Sequence, residues 1–223
     1  LEFRRVLFRS EGFKGEKNLD NAISGLACLG PGGSERRCLL VNDEMVYAQW
    51  GLLSGRRIVA TGKRVRLVGE DAPTPLGAPP DISSCPDNGK PNEFDGEAVA
   101  LDAKHFYVVG SHGCGRNSGK GKISAFLVAR IPVASFGTSK NVATSHRLAD
   151  VLRAHPDLKA HFAQQLQNGE GLPVKADPNG LNIEGAAIVG GRLLVGLRAP
   201  VVAGNAFILS VVDRKSTRLN SSH

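Results

Sequence analysis

The chain has 223 residues, with 28 lysines and arginines against 21 aspartates and glutamates, a net charge of +7 and 41% hydrophobic residues. It carries 27 glycines but one Met, one Trp and two Tyr. No run of eighteen or more apolar residues occurs, so no membrane span is expected, while the length suffices for one sizeable core.

The first segment, Leu1–Ser10, is read together with the last. A DNA segment whose one strand encodes Leu1–Ser10 encodes Asp213–Ser222 on the opposite strand, and both peptides resemble translations of a short-read sequencing adapter, which His223 continues. Such ends have no folding rationale and are set aside as artefact. The expected domain is therefore residues 11–212, a fragment flanked by residues 1–10 and 213–223, in which a signal peptide is not legible. The two ends hold six basic and two acidic residues, which is +4 of the +7, so +3 remains. That is too little for a phosphate-binding footprint, which needs a clustered basic patch. No nucleic-acid partner is expected.

Next come two apolar runs, Ser24–Leu29 and Cys38–Val41, joined by the turn Gly30-Pro31-Gly32-Gly33-Ser34 and ending in Asn42-Asp43-Glu44. Met45–Leu53 and Ile58–Val68 continue as strands. Arg56, Arg57, Lys63, Arg64 and Arg66 crowd together but alternate with apolar residues, the pattern of a strand's solvated face. Asp71–Asn92 is rich in Pro, Ser and Asn and reads as a long loop, of a length often used for lids or binding.

A second pair follows, Glu97–Leu101 and Phe106–His112, turning at Asp102-Ala103-Lys104. The segment Gly110–Lys122 superficially matches a phosphate loop. Gly119-Lys120 has Cys114 where the first glycine belongs and Gly121 where Ser or Thr belongs, and strand-like sequence from Lys122 to Ile131 follows where a helix should open. A hairpin loop is expected there. The one helical stretch runs from about residue 146 to 167, with Leu148, Val151, Leu152, Leu158, Phe162 and Leu166 at helical spacing and Pro156 dividing it into two short helices. His146, His155 and His161 are expected on its surface. The third pair is Glu184–Ile188 and Leu193–Arg198, turning at Gly190-Gly191, followed by a strand over Ala206–Val212.

Three units that each open with a hairpin of small and apolar residues and then run outward predict a mainly β fold. The expectation is a partial β-propeller of about three antiparallel blades with one helical insertion. A sandwich with three chance hairpins is the plainer alternative. Cys28, Cys38, Cys85 and Cys114 form no C-x-x-C pair and no zinc spacing. Cys28 and Cys38 lie on successive strands of one hairpin, Cys85 and Cys114 in loops. Their even count suggests two disulfides and an oxidising, periplasmic or secreted location; the alternative leaves Cys28 and Cys38 as small buried residues.

The assembled motifs are Asp95-Gly96-Glu97-Ala98-Val99-Ala100, Gly110-Ser111-His112, Asn182-Ile183-Glu184-Gly185 and Val195-Gly196-Leu197-Arg198-Ala199-Pro200. In their order and spacing they resemble a family of uncharacterised bacterial proteins, domain of unknown function 3616, over most of residues 11–212. The resemblance implies a propeller-like fold, often in an exported protein, and no established activity. The chain is also distantly similar to phytase-like and esterase-like propellers, whose carboxylates bind calcium, but no motif matches theirs residue by residue.

Aligning the repeats assembles the candidate site. Glu97 and Glu184 occupy one equivalent position at the start of the inner strand, with Ser24 in the first unit. Glu44, His112 and Arg198 occupy another, just past the second strand. The expected site is a rim lined by Glu97, His112, Glu184 and Arg198, taking a small ligand or protein partner. Asp43, Glu44, Glu97 and Glu184 are the candidate oxygen ligands of a calcium-like divalent cation. Three readings stay open: structural Glu–Arg pairs tying blade to blade, a ligand or ion site on an interaction scaffold, and a metal-assisted phosphoesterase or esterase. No G-x-S-x-G elbow or H-E-x-x-H motif supports the last, so whether the chain is an enzyme is left undecided and no catalytic residue is assigned.

Overall fold

The computed structural model describes residues 9–11, 23–30, 34–85, 93–115, 119–166 and 179–212. They form three sheets, in which every strand pairs antiparallel with its chain neighbour save one. The first sheet holds β2 (Ile23–Cys28), β3 (Glu35–Asn42), β4 (Tyr47–Ser54) and β5 (Arg57–Arg66), and β1 (Arg9–Glu11) runs parallel along the edge of β5. The second holds β6 (Gly96–Leu101), β7 (His105–Gly110), β8 (Val128–Pro132) and β9 (Ala143–Ser145). The third holds β10 (Asn182–Val189), β11 (Arg192–Val202) and β12 (Asn205–Val211). The fold is mainly β, as the sequence predicts.

Sequence pattern explains the layering. The continuous apolar run Cys38–Val41 of β3 is buried throughout, as a strand covered on both faces requires. On β5, Arg57, Lys63, Arg64 and Arg66 are exposed while Ile58 and Val65 are buried, the expected solvated face. One core lies between the first two sheets and includes Leu39, Val41, Trp50, Val65, Phe106 and Ile131. Trp50 meets Phe106 and Phe136 edge-on at 5.5 and 5.2 Å, and its Nε1–H donates to the Thr138 carbonyl at 3.2 Å. A second core, with Phe126, Leu148, Leu152, Phe162, Ile183 and Val195, joins the second and third sheets.

The first strands of the three sheets approach most closely, with β6 packed against both β2 and β10. A Cβ on Gly25 would lie 2.9 Å from the Ala98 backbone, so only glycine permits that approach. Gly185, at the equivalent position of β10, has nothing within 4 Å of a built Cβ. Gly25→Ala is therefore expected to cost about 1–3 kcal/mol, the range for overpacking, and Gly185→Ala about 0.5 kcal/mol or less. Urea unfolding midpoints check this, and equal effects at the two sites would refute it.

Three expectations need correction. The helical stretch yields one short helix, α1 (Arg147–Ala154), because the chain turns at Pro156. Beyond it, Leu158 and Phe162 are buried on a run of turns held by bonds such as Phe162 N–H to the Leu158 carbonyl at 3.1 Å, and Gln167 lies outside the described residues. Ile123–Phe126 is a 3-10 turn, and the strand begins only at Val128. His146 is not on a surface: it is 3% exposed, with Nδ1–H donating to the Phe126 carbonyl at 3.0 Å. The long loop is described as far as Cys85; residues 86–92 lie outside the described residues, as do Pro31, Gly32 and Gly33 of the first turn.

The hairpin registers carry a shared irregularity. In the first sheet Ile23 pairs Asn42 and Gly25 pairs Val41, so Ser24 is passed over. In the second, Gly96 pairs Gly110 and Ala98 pairs Val109, passing over Glu97. In the third, Ile183 pairs Leu197 and Gly185 pairs Gly196, passing over Glu184. Each inner strand thus bulges at the residue that sequence alignment marks as equivalent. A bulge leaves its residue out of the ladder and re-aims the side chain.

Candidate functional site

The bulges set the site. Ser24 uses its position structurally: its hydroxyl donates to the Gly96 carbonyl and ties β2 to β6. Glu97 and Glu184 put a carboxyl group where β2 has that hydroxyl. Glu184 instead meets Arg198, whose Nη1 lies 3.1 Å from its Oε1, with both side chains solvent-exposed. An ion pair in that setting contributes little to stability.

The same registers refine the second set of positions. Counting from the paired residues Asn42, Gly110 and Leu197, the next residues are Asp43, Ser111 and Arg198. Arg198 is therefore the counterpart of Asp43 and Ser111, whereas Glu44 and His112 share the following position with Ala199. The Asp43 and Ser111 positions join the same polar seam. The Ser111 hydroxyl donates to Asp95 Oδ2, Ser111 N–H donates to the Asp95 carbonyl at 2.9 Å, and the Ser111 carbonyl accepts from Ile183 N–H at 2.7 Å. One residue thus connects the start of β6 to the start of β10.

Four carboxylates share this seam. Burial pushes Glu97 up to about 8, reinforced by the carboxylates of Asp95, Glu184 and Asp43 and opposed by Arg198. Burial also raises Asp95 to about 6, against the Ser111 hydrogen bond, with Glu93 and Asp43 adding to the rise and Lys122 opposing it. Asp43 is raised chiefly by burial, and its Oδ1 is buried without a partner among the described residues. Glu93 and Lys122 form an ion pair beside the cluster. The arrangement holds protons near neutral pH and presents one guanidinium among carboxylates. Among the described residues no three His, Cys, Asp or Glu side chains are grouped so as to hold a metal ion.

The other predicted residues fall elsewhere. Glu44 is exposed, its backbone N–H bonded to Asn42 Oδ1 at 2.8 Å. His112 is wholly buried, packed edge-on to Phe126 at 5.8 Å, with Nδ1–H donating to the Gly110 carbonyl at 2.9 Å. Burial brings its pKa down to about 4, with His146 adding to the fall. Its Nε2 is buried without a partner among the described residues. Asp95 and His112 both take left-handed backbone, φ 55° and 52°. Such conformations are uncommon outside glycine and cluster where function constrains the chain. Two disulfides close the set, Cys28–Cys38 across the first hairpin and Cys85–Cys114 between loops, separated by 10 and 29 residues.

The profile of a family described as protein of unknown function (DUF3616) matches residues 80–221. The chain belongs to the DUF3616 family. Glu97, His112, Glu184, Arg198 and the Cys85–Cys114 disulfide lie within the DUF3616 match; the first hairpin, with Ser24, Asp43 and Glu44, lies outside it. No curated protein matches this DUF3616 chain.

Sequence reasoning on the DUF3616 chain missed Asp95, Ser111, Glu93, Lys122 and the buried role of His146. Asp95 and Ser111 stand inside the Asp95–Ala100 and Gly110–His112 motifs, but nothing along the sequence marks their place beside a bulge. Glu93–Lys122 and His146–Phe126 pair residues 29 and 20 apart in loops without periodicity, where no local pattern points from one partner to the other.

Proposed function

We propose that the chain is part of a β-propeller, with the three sheets as blades and β2, β6 and β10 as their inner strands, and that it serves as a binding scaffold through a polar rim site. The recurring bulge carries this reading, because it puts Ser24, Glu97 and Glu184 at one equivalent position of successive sheets. The site residues are Glu97, Glu184, Arg198 and Asp43, with Asp95 and Ser111 supporting them. His112 shapes the chain behind the site from the core. The excess of carboxylate over guanidinium favours a cationic or hydrogen-bond-donating ligand. A calcium-like ion is the first probe, since hard cations take such oxygen ligands. Two disulfides support folding in an oxidising compartment, hence an exported protein.

Separate Glu97→Gln and Glu184→Gln variants test the site, read by melting temperature with and without millimolar calcium chloride. Binding at the rim predicts that calcium raises the wild-type melting temperature and that each variant folds but loses at least half of that rise. A wild-type melting temperature indifferent to calcium removes the cation reading. Loss of folding in both variants would make the carboxylates structural ties. The metal-assisted phosphoesterase or esterase reading rests on carboxylate clustering and fold analogy, a weaker basis. Turnover of phospho- or carboxyl-esters that disappears in a folded Glu97→Gln would raise it above the scaffold.

A further inference from the structure

A concave site distinct from the carboxylate seam, and meeting its edge at Lys122, lies between the segment that leaves β5 and the 3-10 turn before β8. The cavity has a volume of about 680 Å³, within the range of small-molecule sites. Its walls are apolar, with Leu67 and Val68 on one side, Ile123 and Leu127 on the other, and Pro73, Pro75, Pro79 and Pro80 along the loop. Proline rings offer flat C–H-rich faces against which an aromatic ring packs.

Glu70 and Thr74 also line the cavity but are exposed to solvent, and two buried polar groups break the apolar lining. Ser124 is 4% exposed, and its hydroxyl is buried with no hydrogen-bond partner among the described residues. A buried hydroxyl without a partner is costly and rare in folded proteins. His146 also lines the cavity. Its Nδ1–H is committed to the Phe126 carbonyl at 3.0 Å, so its Nε2 is left as the ring's acceptor. The one lysine at the cavity, Lys122, is paired with Glu93 and brings no free positive charge. Of its buried groups, the site therefore offers one hydroxyl and one imidazole lone pair in an apolar, proline-walled setting, with the exposed Glu70 carboxylate adding to the disfavour of an anion.

We infer that this cavity binds a neutral, aromatic, hydroxyl-bearing small molecule of the phenol or aryl-alcohol class. A phenolic hydroxyl suits both groups at once: it donates to His146 Nε2 and accepts from the Ser124 hydroxyl. A carboxylate would meet the His146 lone pair with another acceptor and has no free cation to receive it. A bare hydrocarbon would fill the walls and leave Ser124 unpartnered.

The test compares 2-naphthol, naphthalene and 2-naphthoate as probes, titrated against the whole chain by ligand-observed NMR. Naphthol is expected to saturate at least fivefold more tightly than naphthalene, with naphthoate weakest. Ser124→Ala should weaken naphthol about fivefold, one neutral hydrogen bond, and leave naphthalene unchanged. Ala72→Trp, a substitution on a partly exposed wall, should abolish binding of both without unfolding the chain. Equal affinity for the three probes, no saturation by naphthol at millimolar concentration, or full binding to folded Ala72→Trp would each overturn the inference.

Discussion

Between about pH 6.5 and 8.5 the folded chain is expected to lose stability as pH rises, and Glu97→Gln is expected to flatten that loss. Glu97 is raised from 4.5 to about 8, so between those values the folded state holds a proton that the unfolded chain has released. Fewer protons on the unfolded state means that stability falls with pH across the window. Asp95, raised from 3.8 to about 6, acts in the same direction but is half titrated by about pH 6, so most of its effect lies below the window. His112 acts oppositely. Its pKa is lowered from 6.5 to about 4, so the unfolded chain takes up a proton first and stability falls as pH drops from 6.5 towards 4. His146, also lowered by burial, adds to this acid limb. Below 6.5 the groups offset one another. Above 6.5 Glu97 dominates: the end of the Asp95 titration adds a little to the loss, and the last of the unfolded-state titration of His112 offsets part of it.

The 1.5 units from 6.5 to 8 correspond to about 2 kcal/mol at 1.36 kcal/mol per unit, which solvent screening of this partly exposed side chain reduces to about 1 kcal/mol. For a chain of this size that is a fall in melting temperature of about 2–4 °C. Thermal melts at pH 6.5 and 8.5 measure it. A wild-type melting temperature that is constant or rises, or an unchanged slope in Glu97→Gln, would contradict the account.

Removing the Cys85–Cys114 disulfide with a Cys85→Ala, Cys114→Ala double variant is expected to be the more damaging of the two cysteine deletions. The bond closes 29 residues, against 10 for Cys28–Cys38. Loop-closure entropy gives about 3.6 kcal/mol for the longer loop and about 2.7 kcal/mol for the shorter. Packing widens the gap. Cys85 and Cys114 are buried in the core that holds Ile82, Phe126, Phe162 and Leu181, and Cys114 also bridges Gly121 and Gln165. The double variant should melt about 7–14 °C lower than wild type, and it should weaken 2-naphthol, because the bond secures the loop that bears the proline wall. A Cys28→Ala, Cys38→Ala variant that melts lower than Cys85→Ala, Cys114→Ala would falsify the loop argument.

The strands were legible because their cause is local. Alternation and short apolar runs bounded by Gly-Gly, Asp and Pro signal hairpins whatever surrounds them, and ten of the strands, β2 through β8 with β10, β11 and β12, lie where those signals fall or within a few residues of them. β9, at Ala143–Ser145, was not anticipated, since three residues carry no period. The helix was overread because spacing from Leu148 to Leu166 records burial, not backbone. Leu158 and Phe162 are buried on turns as completely as they would be on a helix.

By itself, the sequence determined the three hairpins, the mainly β class, and the equivalence of Ser24, Glu97 and Glu184. Residue identity and spacing along one strand are enough for each. Only the tertiary structure decided that Arg198 aligns with Asp43 and Ser111, because a bulge shifts register by one residue and leaves no mark in composition. It also decided that His112 and His146 are core residues, that Asp95 joins Glu97 in a proton-holding seam, and that residues 67–80, 122–127 and 146 surround one cavity. Burial and electrostatic neighbourhood arise from contacts between distant segments, and no periodicity along the chain encodes them.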